Sequence, residues 1–434
     1  MHTRRQALGA LLLPIACAPR AQWVGPGATR VPPPAGRGTP DEVARDEDYW
    51  SEIARAFTVD RSAINLNNAS LSPSPGIVQE AMSRHLTLAN STPSAHAQWM
   101  VAPPLREAVR QRLAAQWGVD AEEIAITRNA AEGLQICQLG IDLARGDEVL
   151  ATTQDYPHMI ATFQQRERRE GIVLRQFKLP VPAEDPARIV SLYESNITPR
   201  TRLILITHMI NLTGQIMPVR EVVAMARRHG IPVIVDGAQS LGHFDFKISD
   251  LDCDYFATSL HKWMCAPHGT GLLYVRRDKI RGLWPLMAAP ADLADNIRKF
   301  EEVGTTPPAN ALAVAEALTF HQAIGGARKE ARLIHLRETW TKRLLAAGGR
   351  IRMQTSLRLG PPRLACSIAT FELEGVDTMK LWAHLWDKYR ILTGAVVRDE
   401  VRGLRVSPSV YTTPEELDRF CTAIEQVVRR GLPA

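Results

Sequence analysis

Two charged residues stand where buried strands are expected to end. Asp236 follows the apolar run IPVIV and precedes Gly237-Ala238-Gln239-Ser240, and Lys262 closes the run DYFATSLHK ahead of a Gly269-Thr270-Gly271 turn. In open α/β sheets ligands bind beyond the carboxyl ends of the strands, and an acid buried there costs free energy unless it meets a cation. An amine and a carboxylate so placed suit pyridoxal phosphate (PLP). The lysine forms a Schiff base, while the acid pairs with the pyridine nitrogen and keeps it protonated as an electron sink. Taken singly, Asp236 reads as a turn cap and Lys262 as a solvated side chain. Two further elements supply what the cofactor needs. Asn129 and Glu132, after EIAIT, have capping-box spacing and predict a helix start with free N–H groups, an anion site suited to a phosphate. Tyr156, after EVLATT, offers an aromatic face to a flat ring, and reads nearly as well as ordinary packing.

The elements that must position these residues alternate along the chain. Strands are predicted at 123–127, 148–153, 172–179, 202–209, 231–236, 254–260 and 271–276. Several are near-continuous Ile, Leu and Val runs, as parallel strands covered on both faces require. Between them PVREVVAMARRHG reads as a helix with Pro218 at its first position and Gly230 past its end. After about residue 310, long helical stretches surround a few strands such as LACSIATFEL, and the last helix opens on a capping box, Thr413-Pro414-Glu415-Glu416. The expected architecture is a large α/β domain over 76–310 and a smaller α+β domain over 311–434, with residues 41–75 packing on the smaller one.

Of the 434 residues, 45% are hydrophobic and 23% charged, which excludes global disorder. The net charge of +6 has no run of five like charges behind it, and removing residues 1–21, with Arg4, Arg5, Arg20 and no acid, halves it. A nucleic-acid stripe is therefore not expected. No cysteine pair has C-x-x-C spacing, so metal and thiol-redox motifs are absent; Cys137, Cys253, Cys265, Cys366 and Cys421 read as buried free thiols. Residues 1–21 have the basic, apolar and small-residue regions of an export signal. The run TRRQAL is similar to the twin-arginine motif, with Ala7 where that motif usually carries Phe. Cys17 raises a lipoprotein option that Pro14 disfavours. The mature protein is then expected in the periplasm or outside, and in the cytoplasm if the leader does not function. Residues 22–40, rich in Pro and Gly, read as a linker, and no apolar run is long enough to span a membrane.

The stretch IVDGAQSLGHF…DYFATSLHKWMCAPHGTGLLYVRR resembles the class V aminotransferases, PLP-dependent enzymes of fold type I, and among them the isopenicillin N epimerase-like branch. The likeness extends from LNNASLSPSP through TRNAAEGL, THMINLTG and EVGTTPPANALAVAEAL to RVSPSVYTTPEEL. It implies Lys262 as the aldimine lysine and base, Asp236 on the pyridinium nitrogen, Gln239 and Asn211 on the ring hydroxyl, and Tyr156 stacked on the ring. The phosphate is implied on the backbone after Asn129, at Ala130 and Ala131, with Ser259 and His261 as side-chain donors. Thr305 would reach the phosphate of a neighbouring subunit, hence a homodimer. Arg405 would clamp the substrate α-carboxylate, a bidentate task suited to guanidinium, near Asn68 and Ala69. Ala130 and Ala131 stand where many relatives have Thr, so hydroxyl contacts to the phosphate are lost. ILTGAVVRDEVRGLRVS holds no cysteine, which argues against desulfuration by a nucleophilic thiol. The expected activity is transamination or epimerisation of an amino acid or amino-acid-derived metabolite, in keeping with tailoring of an exported product. The alternatives are a PLP-dependent lyase (kynureninase-like, or cleaving C–S bonds) and a non-catalytic binding protein on the same fold.

Overall fold

The computed structural model describes residues 38–433 except 349 and 361, so the proposed leader and most of the 22–40 linker lie outside the described residues. A short pair joins β1 (Ile64–Asn65) in parallel to β11 (Ile391–Leu392). The large sheet holds β2 (Ile124–Thr127), β3 (Glu148–Thr152), β4 (Val173–Phe177), β5 (Thr201–Thr207), β6 (Val233–Asp236), β7 (Tyr255–Ser259) and β8 (Gly271–Val275). Their order is β2-β8-β7-β6-β5-β3-β4, parallel throughout the β7 to β4 stretch and antiparallel where β8 meets β7 and β2. All seven strands expected from the hydrophobic runs are present. Their apolar residues are divided between two cores: Val233, Val235, Ile204 and Ile206 face one, and Ile234, Leu203 and Leu205 the other. This is why the runs are apolar without alternation.

A second, antiparallel sheet has the order β12-β13-β10-β9, from β9 (Ile351–Met353), β10 (Ala369–Leu373), β12 (Gly394–Val397) and β13 (Arg402–Val406). Helices Gly326–Ala346 and Pro414–Arg430 cover it, the latter started by the Thr413–Glu416 capping box. Two expectations shift. The strand in LACSIATFEL begins only at Ala369, because Leu364 and Ala365 pair instead with Ile216 and Gln215 of a large-sheet loop. The helix after Pro218 begins at Val219, with the proline in the capping position. The five cysteines within the described residues are free and buried. No helix among those residues is long and apolar enough to cross a membrane.

Trp340 anchors the second core. Its ring is fully buried, with centroids 5.8 Å from Phe371 of β10 and 6.0 Å from Phe420 of the last helix. Trp340→Ala should cost about 3–5 kcal/mol, as an aromatic-to-alanine cavity does. Chemical denaturation should register this as a lower midpoint at constant slope; a loss well under about 1 kcal/mol would mean that the helix is held by other contacts.

Candidate active site

The carboxyl ends of β5, β6 and β7 floor a cavity of about 430 Å³ with Thr207, Asp236 and Ser259 in its wall. Lys262 and Arg405 share that wall, as do Asn129, Ala130, Ala131, Tyr156, Asn211, Gln239, His261 and Ala69. Asp236 accepts from the Ala238 N–H at 2.9 Å, and burial holds its carboxyl above the usual range. Burial pushes the Lys262 amine down to about 8, opposed by the charge of Asp236 and helped by that of Arg405. Among the described residues no ion pair joins Asp236 to Lys262 or engages either with another partner. Two opposite charges thus face one space without touching across it, an arrangement that favours a polar group lying between them.

At one end of the cavity the helix Ala130–Gly140 starts. The Asn129 side chain caps it by accepting from the Glu132 N–H, but the Glu132 carboxylate bonds the Arg128 N–H and side chain rather than Asn129. The reciprocal half of the expected capping box is therefore displaced by one residue, drawn off by the Arg128 guanidinium. Gly271 opens β8 against this turn: a Cβ there would lie 2.7 Å from the Asn129 backbone, so only glycine lets the cap approach the sheet. The Ala130 N–H donates to Ser259 Oγ at 3.0 Å, leaving the serine proton for the cavity. His261 Nδ1 lies 3.1 Å from the Thr270 carbonyl, which assigns the ring proton to Nδ1. Burial pushes this imidazole down to about 4. His261 Nε2 is thus an acceptor here, and the expected donor role requires a second proton that a phosphate dianion beside it would favour.

Tyr156 sits at the capping position of helix Pro157–Glu170, its ring 5.1 Å from that of His158, and 39% exposed toward the cavity mouth. The turn is fixed by Asp155, whose carboxylate accepts from the Thr152 N–H and hydroxyl and from Thr207 Oγ, and whose pKa burial raises to about 6. Gln239 is oriented from both ends. It donates to the Ala69 carbonyl at 2.8 Å and accepts from Trp263 Nε1 at 2.9 Å. The His243 ring stacks on Trp263 at 3.6 Å, accepts the Ser367 N–H at Nε2 and faces the Gln239 carbonyl with Nδ1. Burial pushes His243 down to about 3, so it stays neutral and serves as a spacer between the two sheets.

Opposite the phosphate-like end lies Arg405 of β13. Its guanidinium donates to the Asn211 carbonyl at 2.9 Å, Asn67 Oδ1 at 2.8 Å and Ser70 Oγ at 2.9 Å, while its buried Nε has no partner. Burial lowers its pKa to about 10, which leaves it charged at neutral pH. A buried, incompletely satisfied cation of this kind fits a carboxylate ligand.

A sequence profile of the aminotransferase class-V family matches residues 64–420. The chain belongs to this family. Isopenicillin N epimerase from Amycolatopsis lactamdurans is 31% identical over 402 residues, covering 87% of this chain and 98% of the relative. Among solved structures, a variant of a cystine C–S lyase with glycine covalently linked to its PLP cofactor is 25% identical, with a TM-score of 0.74 over 84% of this chain and 97% of that one. A cysteine desulfurase from Thermococcus onnurineus, 23% identical, has a TM-score of 0.76 over 88% of this chain and 98% of its own, a likeness of fold.

The class V fold, PLP-dependent fold type I, is thus that of this chain, and PLP is its cofactor. The residues present fit the group: an acid and an amine with no ion-pair partner among the described residues face one cavity, a helix start and the Ser259 hydroxyl offer donors at one end, and the Arg405 guanidinium stands in the same wall. One residue expected at the site lies outside the cavity wall. Asn68 is fully buried and spends its amide on the Asn65 and Ser407 carbonyls and the Tyr411 hydroxyl, so Ala69 and Ser70 present that segment to the cavity instead. Thr305, expected at the phosphate of a neighbouring subunit, is exposed and stands outside this chain's own cavity wall. Sequence reasoning passed over Ser70, Asp155, Trp263 and His243. Ser70 and Asp155 adjoin expected residues, and that adjacency was the available signal; the stacking of His243 on Trp263 has none in one dimension.

Two predictions follow from this geometry. A Cβ at Gly394 would lie 3.0 Å from Arg405 Nε and 3.2 Å from Asn67 Oδ1. Gly394→Ala should weaken amino-acid binding about tenfold, some 1.4 kcal/mol, in spectral titrations of the PLP-loaded protein, with PLP retention unchanged. Unchanged amino-acid affinity would mean that the guanidinium can shift freely. Since the Lys262 amine loses its proton near pH 8, capture of PLP by apo-protein, followed by visible absorbance, should slow about tenfold per pH unit below that value and level off above it. A rate independent of pH across that range would contradict the placement of this amine.

Proposed function

We propose that this class V enzyme acts on the amino group or α-carbon of an amino acid or an amino-acid-derived metabolite, by transamination or epimerisation. The observation that carries the reading is the placement of Arg405, Lys262 and Asp236 on the wall of one cavity with no cysteine among its lining residues. Arg405 holds the substrate carboxylate and so orients the α-carbon. Lys262, with its amine near neutrality at about pH 8, takes the α-proton and can return it. Asp236 keeps the pyridine nitrogen of PLP protonated, and bound PLP supplies the electron sink for the α-carbon. The two outcomes part at the place where the proton goes back.

The relative named an epimerase supports the isomerase outcome. The lyase reading draws on the cystine C–S lyase; the five cysteines within the described residues are all buried and none lines the cavity, which bears only on desulfuration by a nucleophilic thiol. We place the enzyme as a homodimer in which Thr305 meets the phosphate of the other subunit's cofactor. The twin-arginine-like leader favours export of the loaded enzyme and tailoring of an exported metabolite.

Lys262→Ala should abolish turnover while circular dichroism and size-exclusion chromatography report a folded dimer. Retained turnover would sink the mechanism. For the wild type, incubation with amino acids in D2O separates the outcomes. Deuterium at an inverted α-carbon with no keto acid marks an epimerase, and a keto acid that keeps the substrate's whole carbon chain marks an aminotransferase.

A further inference from the structure

A second cavity of about 560 Å³ opens beside the first, and the two share Ser70, Asn211 and Arg405 in their walls. Its remaining lining comes mainly from β12 and from the helix Thr378–Tyr389. Met379, Trp382, Leu392, Val396 and Val397 make an apolar body. Val397 is 55% and Met379 50% exposed, so these two form a rim open to solvent, whereas Val396 is buried. The Trp382 indole N–H donates to the Thr393 carbonyl at 2.8 Å, which holds the ring in place as a wall. The charged side chains of this lining are both cations, Arg405 at the shared boundary and Arg398 at the exposed end. Among the described residues no carboxylate pairs with Arg398, and the lining contains no acid.

A substrate whose carboxylate rests on Arg405 lies against the wall that the two spaces share. Its side chain then has somewhere to go. We propose that the second cavity receives that side chain, and that the substrate is an amino acid with an extended, mainly apolar chain ending in an anion near Arg398. Three observations converge on it. The shared wall at Arg405 makes the two spaces neighbours, an apolar lining is stabilised by covering it with methylene or ring surface, and a lining whose two charged residues are Arg398 and Arg405 favours an anionic terminus over a cationic one. A small side chain leaves the cavity unfilled and gains none of this. The inference rests on the α-carbon reading above and deepens it to a substrate class.

The test uses PLP-loaded full-length protein and three probes: L-alanine, L-lysine and L-2-aminosuberate, whose chain of methylenes ends in a carboxylate. Binding is read from the change in cofactor absorbance and, independently, from quenching of tryptophan fluorescence. Aminosuberate should bind at least tenfold more tightly than alanine, and lysine no more tightly than alanine. Trp382→Ala should erase most of the gain for aminosuberate, and Arg398→Glu should reverse the order of aminosuberate and lysine. If all three probes bind alike, the substrate class is wrong while the α-carbon reading stands. If none alters the cofactor spectrum, that reading falls and takes this inference with it.

Discussion

Arg405 is the joint on which the site depends. It belongs to β13 of the second sheet, yet its guanidinium is bonded to the Asn211 carbonyl from a large-sheet loop and to Asn67 and Ser70 from the N-terminal segment. A buried guanidinium is stable only where enough acceptors surround it. Three separate pieces of chain must therefore converge for the charge to be tolerated. Once they do, the remaining unpaired Nε and the two cavities on either side of Arg405 follow from the same geometry. Gly394, paired with Arg405 across β12 and β13, supplies the room.

The other end of the site is governed by charges kept apart. Asp236 and Lys262 are brought to one cavity by neighbouring parallel strands, Asp236 as the last residue of β6 and Lys262 three residues past the end of β7. Burial raises the pKa of the acid and lowers that of the amine to about 8, while the charge of each opposes the shift of the other. Around them the scaffold is made of neutral groups. His243 is stacked on Trp263 and stripped of charge by burial, and together they orient Gln239 without adding a competing field. The phosphate-like end is similarly economical in charge: a serine hydroxyl, backbone amides and an imidazole whose single proton is committed to a carbonyl.

Much of this was legible beforehand, for physical reasons that differ from element to element. The seven strands were readable because a sheet covered on both faces requires long apolar runs, and the residues at their ends were readable because a charge after such a run is conspicuous. Arg405, Gln239 and Asn211 were identified through likeness to the class V family, since nothing in their own neighbourhoods marks them. Asn68 was misplaced because an asparagine in a turn can point either way. Its amide turns inward here, to the Ser407 carbonyl and the Tyr411 hydroxyl, partners more than three hundred residues along the chain.

The sequence by itself thus determined the alternating architecture, the strand-end acid and amine, the helix start at Asn129 and the family. Those depend on local periodicity and on residues close in the chain. Only the tertiary structure decided that Asp236 and Lys262 face one space unpaired, that His261 already spends its proton on Thr270, and that Arg405 parts two cavities. Each of these is set by distances between segments remote in sequence, and by burial, which changes the charge a residue can carry without changing its identity.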